Sequence, residues 1–211
     1  MKHTDYPILF FDFDGVILDS LPVREHGFRE IFSAFTDQEI EALLTFHRKN
    51  GGWSRYVKIR HFFETIREEP VTEDQILEYA EDYSVIMRKA LTDKKNLIQD
   101  AVQYLALQKG SQRFFVVSGS DQEELRYLCK ELGIKHYFEE ITGSPTPKIE
   151  NVEMLIRNHQ LDITDVALIG DSYNDYEAAH ENNIAFFGYN NELLKGVGGG
   201  YIGNLSNTID A

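Results

Sequence analysis

The N-terminal part of the chain runs apolar without alternation through Ile8-Leu9-Phe10-Phe11, then stops on Asp12-Phe13-Asp14-Gly15. An apolar run bounded by Pro7 and Gly15 is the pattern of a strand covered on both faces, as in a parallel sheet. From about Ser20 to Ala90 the period lengthens to that of helices. Asp19 or Ser20 is placed to cap the first, with Pro22 in its opening turn and Phe28, Ile31, Phe32 and Phe35 on one face. Thr36 and Glu39 form a capping box before Ile40, Leu43, Leu44 and His47, and Gly51-Gly52 breaks that second helix. Ile59, Phe62, Phe63 and Ile66 mark a third stripe, and Thr72 with Gln75 opens a fourth carrying Ile76, Tyr79, Ala80 and Tyr83.

Beyond Ala90 helical and strand periods alternate. A helix over Ile98, Ala101, Val102 and Leu105 precedes the strand Arg113–Val117, and a helix from Asp121 to Gly133 precedes a strand near Tyr137 to Thr142. A helix with Val152, Leu155 and Ile156 leads to the strand Val166–Ile169, and a short helix ending at Asn182-Asn183 leads to Ile184–Phe187. The glycine-rich stretch Gly196–Gly200 lacks the strand-to-helix context of a nucleotide-binding loop. Alternation of this kind predicts an α/β fold, a doubly wound, Rossmann-like parallel sheet with ligands outside the carboxyl ends of its strands. The expected division is a core of residues 1–18 and 91–211 with an all-helical cap of residues 19–90 inserted after the first strand. Leaving at that point, the helices are expected to stand over the site, where a lid excludes water.

Composition narrows the function classes. At 211 residues, 42% hydrophobic and 27% charged, the chain is long enough for one good core plus a small insert. A net charge of −14 argues against a nucleic-acid surface, which needs clustered Lys and Arg, but not against a small phosphorylated ligand. The first apolar run is too short for a membrane span or a signal peptide, and the lone Cys129 rules out an intramolecular disulfide, so a soluble cytoplasmic protein is expected. Cys129 lies with Leu125, Leu128 and Leu132 at helical spacing and reads as a small buried hydrophobe. His26, His61 and His136 lack metal-ligand spacing, and His47, His159 and His180 fall near apolar stripes, so all six read as packing residues.

The candidate chemistry collects at strand exits. Asp12 and Asp14 share one side of an extended chain, and their repulsion calls for a hard cation such as Mg²⁺. Ser118-Gly119-Ser120, Lys148, and Asp171 with Asp175 follow, one group at each later exit. Singly, each is an ordinary helix cap or surface residue. The basic turn His47-Arg48-Lys49-Asn50-Gly51-Gly52-Trp53-Ser54-Arg55 is the main cationic cluster of an acidic chain. Emerging beside Asp12, it is placed to meet the part of a substrate beyond its phosphate.

Asp12-Phe13-Asp14-Gly15-Val16, Val117-Ser118-Gly119-Ser120, Lys148 and Gly170-Asp171-Ser172-Tyr173-Asn174-Asp175 together resemble the four motifs of the haloacid dehalogenase-like hydrolase superfamily. The helical insert is similar to that superfamily's C1-type cap. The resemblance implies a phosphatase in which Asp12 attacks phosphorus to form an aspartyl-phosphate and Asp14 is acid and base. It implies that Ser118, with Gly119 and Ser120, binds phosphoryl oxygens and that Lys148 supplies a fixed positive charge. Mg²⁺ is then held by the Asp12 carboxylate, the Asp14 carbonyl and Asp171, with Asp175 orienting from behind and Arg48 and Arg55 of the cap contacting the substrate. An acid at position 14 separates the chain from the superfamily's dehalogenases and ion-pumping ATPases and favours a phosphatase or phosphomutase. The phosphoglycolate phosphatase and β-phosphoglucomutase group resembles it best. The expected partner is a small phosphorylated metabolite. The rivals are a phosphomutase and a catalytically silent binding module. The sequence specifies neither the substrate nor an oligomeric state.

Overall fold

The computed structural model describes residues 2–206; Met1 and residues 207–211 of the expected core range lie outside the described residues. Six strands form one sheet: β1 (Ile8–Phe11), β2 (Arg113–Asp121), β3 (Glu140–Ser144), β4 (Val166–Gly170), β5 (Ala185–Tyr189) and β6 (Gly200–Ile202). All neighbours are parallel, in the order β3-β2-β1-β4-β5-β6. The first strand is therefore interior, and its pairing aligns Phe11 with Val116 of β2 and Ile169 of β4. The next residue on each of these three strands leads into an expected polar motif.

Burial explains why β1 is apolar throughout. Leu9 and Phe11 join Phe114, Val116, Ala167 and Ile169 on one face, under α5 (Gln99–Gln108) and α6 (Gln122–Glu131). Ile8 and Phe10 join Phe115, Val117, Val166 and Leu168 on the other, under α7 (Lys148–Asn158) and α8 (Tyr173–Glu181). Alternate side chains thus go to opposite faces, and both faces are covered.

Between β1 and α5 lie α1 (Leu21–Ile31), α2 (Asp37–Lys49), α3 (Arg55–His61) and α4 (Glu73–Ala90). Their apolar stripes meet in an aromatic cluster in which Phe32 stacks on Phe62 at 4.0 Å and on Tyr79 at 5.1 Å between ring centroids. Gly27 lets α1 approach α4, since a side chain there would strike Met87 and Tyr83. This cluster is continuous with the sheet's α5/α6 face, so the helical segment rests on the core through apolar contact.

Several elements differ from expectation. The glycine-rich stretch contributes β6, paired through Gly200 with Phe187 of β5. Glycines suit that edge because a Cβ at Gly198 or Gly200 would crowd Phe186 or Phe187. The third strand begins at Glu140, not near Tyr137, because a 3-10 turn occupies Lys135–Tyr137. Strand β2 runs on to Asp121, which caps α6 by accepting from Glu124 N, so Ser118 and Gly119 lie on an extended strand exit and not at a helix start. Ser20 stands at the N-cap of α1 but makes no cap hydrogen bond, its hydroxyl being committed elsewhere.

Candidate active site

The carboxyl edge of the sheet places Asp12 where strand pairing ends, its own N–H donating to Ile169 O at 2.9 Å. Asp12 is 2% exposed. Its Oδ1 accepts from Phe13 N at 2.7 Å and lies 3.1 Å from Lys148 Nζ. Lys148, the first residue of α7, also donates to Asp175 Oδ1 in a close contact, and Asp175 Oδ2 accepts from the Ser172 amide and hydroxyl. Lys148 is thereby held between two acids, and Asp175 closes the capping box of α8.

Oxygens of Asp12, Asp171 and Asp175 all lie within 4.8 Å of one another. Burial, then Asp175, pushes the Asp12 carboxyl up to about 7, and burial with Asp12 and Asp175 holds Asp171 well above the ordinary carboxylate range. One lysine does not balance two buried acids and the half-buried Asp171, and a hard divalent cation with oxygen ligands would relieve the excess. Asp175 is spent on Lys148 and Ser172, so Asp12 and Asp171 are the ligands the donor set leaves open. Gly15 makes room for them, since any Cβ there would collide with the Asp171 carboxylate.

The Asp14 side chain turns away from this cluster. Its Oδ1 accepts from Ser20 Oγ and, at 2.6 Å, from Arg24 Nε, and its Oδ2 accepts from Ser120 Oγ at 2.6 Å. Burial opposes ionisation of Asp14, yet Arg24 and the two hydroxyls outweigh it and lower its pKa. Ser118 is buried, and its hydroxyl accepts from Ser120 N at 3.2 Å. Gly119 lies under the turn between α2 and α3, where a Cβ would strike the carbonyl of Gly52, and a Cβ at Gly52 would strike Ser172 and Asn174. The Gly51-Gly52 turn therefore wedges between the exits of β2 and β4. A cleft of about 620 Å³ lies beside it, lined by Asp12, Asp14, Ser118, Gly119, Ser120 and Asp171 among others. That is the size of a small-molecule site.

The two arginines of the helical segment expected at the substrate, Arg48 and Arg55, are placed otherwise. Arg48 borders the cleft but is held by Glu25 through two hydrogen bonds of 2.6 and 2.7 Å and by Glu41 at 3.0 Å. Arg55 is buried beneath the turn, donating to Ser84 Oγ at 2.6 Å, with Nη2 2.7 Å from Glu124 Oε2. Arg24, Lys58 and Glu124 are buried charges that the stripe reading passed over. Arg24 precedes Phe28 by four residues, Arg55 precedes Ile59 and Lys58 precedes Phe62 by the same step, so each charge continues an apolar stripe. A cation on a buried helix face was the available signal. His47 is buried as expected, packed against Phe28 at 5.2 Å between centroids, but neither ring nitrogen has a hydrogen-bond partner.

Comparison with known proteins agrees with this geometry. The model of the family described as haloacid dehalogenase-like hydrolase matches residues 9–189, from β1 through β5. The fold superposes on β-phosphoglucomutase from Clostridium difficile with a TM-score of 0.76 at 16% identity, covering 96% of this chain and 92% of that one. A predicted phosphoglycolate phosphatase from Haemophilus somnus gives 0.74 at 18% identity, covering 99% and 98%. A haloacid dehalogenase-like family protein from Streptococcus pneumoniae gives 0.66 at 20%, covering 98% and 92%. A curated relative from Haemophilus influenzae, described as "Probable cation-transporting ATPase", is 35% identical over 98 residues, which is 46% of this chain and 12% of the relative. The chain thus spans about one eighth of that protein's length. With a family match over most of its length and paired acids at the end of an interior strand, the chain belongs to the haloacid dehalogenase-like hydrolases.

Proposed function

We propose that the protein is a Mg²⁺-dependent phosphatase acting on a small phosphorylated metabolite through an aspartyl-phosphate at Asp12, with residues 19–90 serving as its cap. The observation that carries this reading is the placement of Asp12. A buried carboxylate at the end of β1 has its rotation set by Lys148 and the Phe13 amide on one oxygen, with a second acid two residues away. The names of the neighbouring structures, a phosphoglycolate phosphatase and a phosphomutase, are consistent with phosphoryl chemistry.

In the first step a carboxylate oxygen of Asp12 attacks phosphorus, and the bond to the ester oxygen breaks. The departing alkoxide takes a proton from Asp14; because Arg24 and two hydroxyls hold that carboxyl ionised in the structure, the step requires Asp14 first to turn from Arg24 toward the ester oxygen and take up a proton. Water then attacks the acyl-phosphate and gives a proton back to Asp14, releasing phosphate and regenerating the Asp12 carboxylate. Lys148 neutralises charge on the nucleophile and the phosphoryl oxygens, and Asp175 holds its ammonium in place. The Ser118 hydroxyl and Gly119 amide are assigned to the phosphoryl oxygens, with Ser120 holding Asp14. A bound Mg²⁺, held by Asp12, Asp171 and the Asp14 carbonyl, would supply further charge neutralisation. The Gly51-Gly52 turn rests on Gly119 and covers the exit of β2 on one side of the cleft.

The test is a screen of phosphorylated metabolites with Mg²⁺, measuring free phosphate, coupled to borohydride trapping at Asp12. Phosphate release with trapped label is the expected result. Isomer formation without phosphate would instead identify a mutase, and turnover undiminished in chelator would remove the metal from the mechanism.

A further inference from the structure

The loop that follows β5 reaches back to both segments that carry the candidate metal ligands. Asn190 Nδ2 donates to Gly15 O at 3.0 Å, and Asn191 Nδ2 donates to Asp171 O at 2.8 Å. Neither asparagine belongs to the polar motifs at the other strand exits. The loop is itself well anchored. Asn190 holds a left-handed backbone at φ 54°, and Asn191 Oδ1 caps the 3-10 turn Glu192–Leu194 by accepting from Leu193 N at 3.1 Å. Leu194 is buried with Phe186 and Ala178. The Asn191 amide thus donates to a carbonyl and accepts from an N–H, so its partners fix its orientation.

The segments at the far end of these two bonds repel each other. Asp12 and Asp175 both act against the charge of Asp171, and Asp14 acts against that of Asp12. The segments nonetheless touch, since a Cβ on Gly15 would fall on the Asp171 carboxylate. Gly15 is gripped at both ends, its N–H donating to Leu18 O at 2.8 Å and its carbonyl accepting from Asn190. In a planar trans peptide the fixed Gly15 N–H also fixes the Asp14 carbonyl, which points the opposite way. The two asparagines therefore act on the backbone of both ligand segments, from a strand that supplies no ligand.

We propose that Asn191, with Asn190 in a lesser part, is a positioning residue for the metal site. The loop after β5 clamps the Gly15 and Asp171 segments together against their own charge repulsion, so that the ligands are gathered before an ion binds. The inference rests on the Mg²⁺ site of the phosphatase reading and adds to it the group that makes the site selective. Asn191 leads because its bond is half-buried, whereas that of Asn190 is open to solvent. Mg²⁺ demands a near-ideal octahedron, while Ca²⁺ accepts longer and more variable contacts. Loosening the clamp should therefore penalise Mg²⁺ more than Ca²⁺.

The test is calorimetric titration of the whole chain, without substrate, by Mg²⁺ and separately by Ca²⁺. Asn191→Ser keeps an oxygen to cap the 3-10 turn but is too short to reach Asp171 O, and Asn190→Gly keeps the left-handed backbone and loses only the amide. Asn191→Ser is expected to weaken Mg²⁺ binding about 10- to 100-fold, the range for partners that orient metal ligands, and to weaken Ca²⁺ binding less. Asn190→Gly should shift the Mg²⁺/Ca²⁺ preference in the same direction by a smaller factor. Wild-type Mg²⁺ affinity in Asn191→Ser would reduce Asn191 to a turn cap and overturn the clamp. Equal losses for both ions would overturn it too, by making the loop a general support of the fold. If Asn191→Ser does not fold, Asn190→Gly decides, and an unchanged preference there counts against the clamp. A wild-type chain that binds no Mg²⁺ removes the metal from the phosphatase reading and the clamp with it, whereas wild-type binding with unaltered variants removes the clamp alone.

Discussion

At the carboxyl edge of the sheet, Asp12, Asp171 and Asp175 surround a single lysine, whereas on the helical side Arg24, Arg55 and Lys58 face only Asp14 and Glu124. Both clusters are largely buried, with Asp171 and Asp14 half-buried, yet one is short of positive charge and the other short of negative charge. A structural ion-pair network would be expected to balance within itself, because unpaired buried charge costs stability. The acidic excess at the sheet edge suits the cation proposed there, and the basic excess lies on the other side of Asp14. Asp14 and Ser120 stand at the boundary, where Arg24 from the helical side meets the second acid of the sheet side.

The comparison can be broken most severely at Asp12. Asp12→Asn should lower kcat by ~10⁴-fold or more, because an amide is a poor nucleophile. The same change removes one acid from an overcharged cluster, so Tm in chelator should stay level or rise. Lost activity together with lost Tm would mean that Asp12 is a structural acid after all.

Removing the lone cation should act in the opposite sense. Lys148→Met leaves buried acids without a counter-charge and should cost about 3–5 kcal/mol, read as a drop in Tm. On the helical side Glu124 is the equivalent residue, fully buried and paired with both arginines, and Glu124→Gln should cost a similar amount. If Glu124→Gln alone were silent, the helical cluster would be far better hydrated than its burial indicates.

A smaller effect is expected where the two sides touch. Gly119→Ala puts a methyl group against the Gly52 carbonyl and should lift the turn by about an ångström, costing roughly 10²-fold in kcat/KM with the sheet intact. Unchanged kcat/KM would show that closure of this turn is not needed for turnover.

The gentlest probe is pH. Asp12, raised by burial and Asp175, titrates at about 7 in the folded protein against 3.8 ordinarily. In the metal-free protein its contribution to stability is present below about 3.8 and lost as pH rises through about 7, since the folded state binds the proton more tightly. Mg²⁺ must displace that proton below neutrality and meets none above it. The Mg²⁺-induced rise in Tm should therefore grow between about pH 5.5 and pH 8, by calorimetry at constant ionic strength. A shift independent of pH would separate Asp12 from the metal site.

Much of this was legible along the chain. The unbroken apolar run of β1, the alternation beyond Ala90 and the polar residues at each strand exit led to a parallel sheet with Asp12, Ser118, Lys148 and Asp171 at one edge. These are local properties: period reports which faces are covered, and a strand exit is marked by the abrupt end of an apolar run. The stripes of the helical segment were equally legible, down to the capping boxes at Thr36 and Thr72. One strand was obscured. Strand β6 (Gly200–Ile202) follows a run of glycines, whose value is the space they leave beside Phe186 and Phe187, and that depends on the partner strand.

What only the tertiary structure decided is the pairing of charges. The sequence by itself marked Arg55 and Arg48 as cations of one turn, but it did not contain the position of Glu124, Ser84 or Glu25 relative to them. Once those partners are in place, Lys58 is left with the Gly51 carbonyl and the His47 ring with no hydrogen-bond partner. Periodicity follows from backbone geometry over a few residues. Which ion meets which, across 100 positions between Arg24 and Glu124, follows from how the helices settle on the sheet.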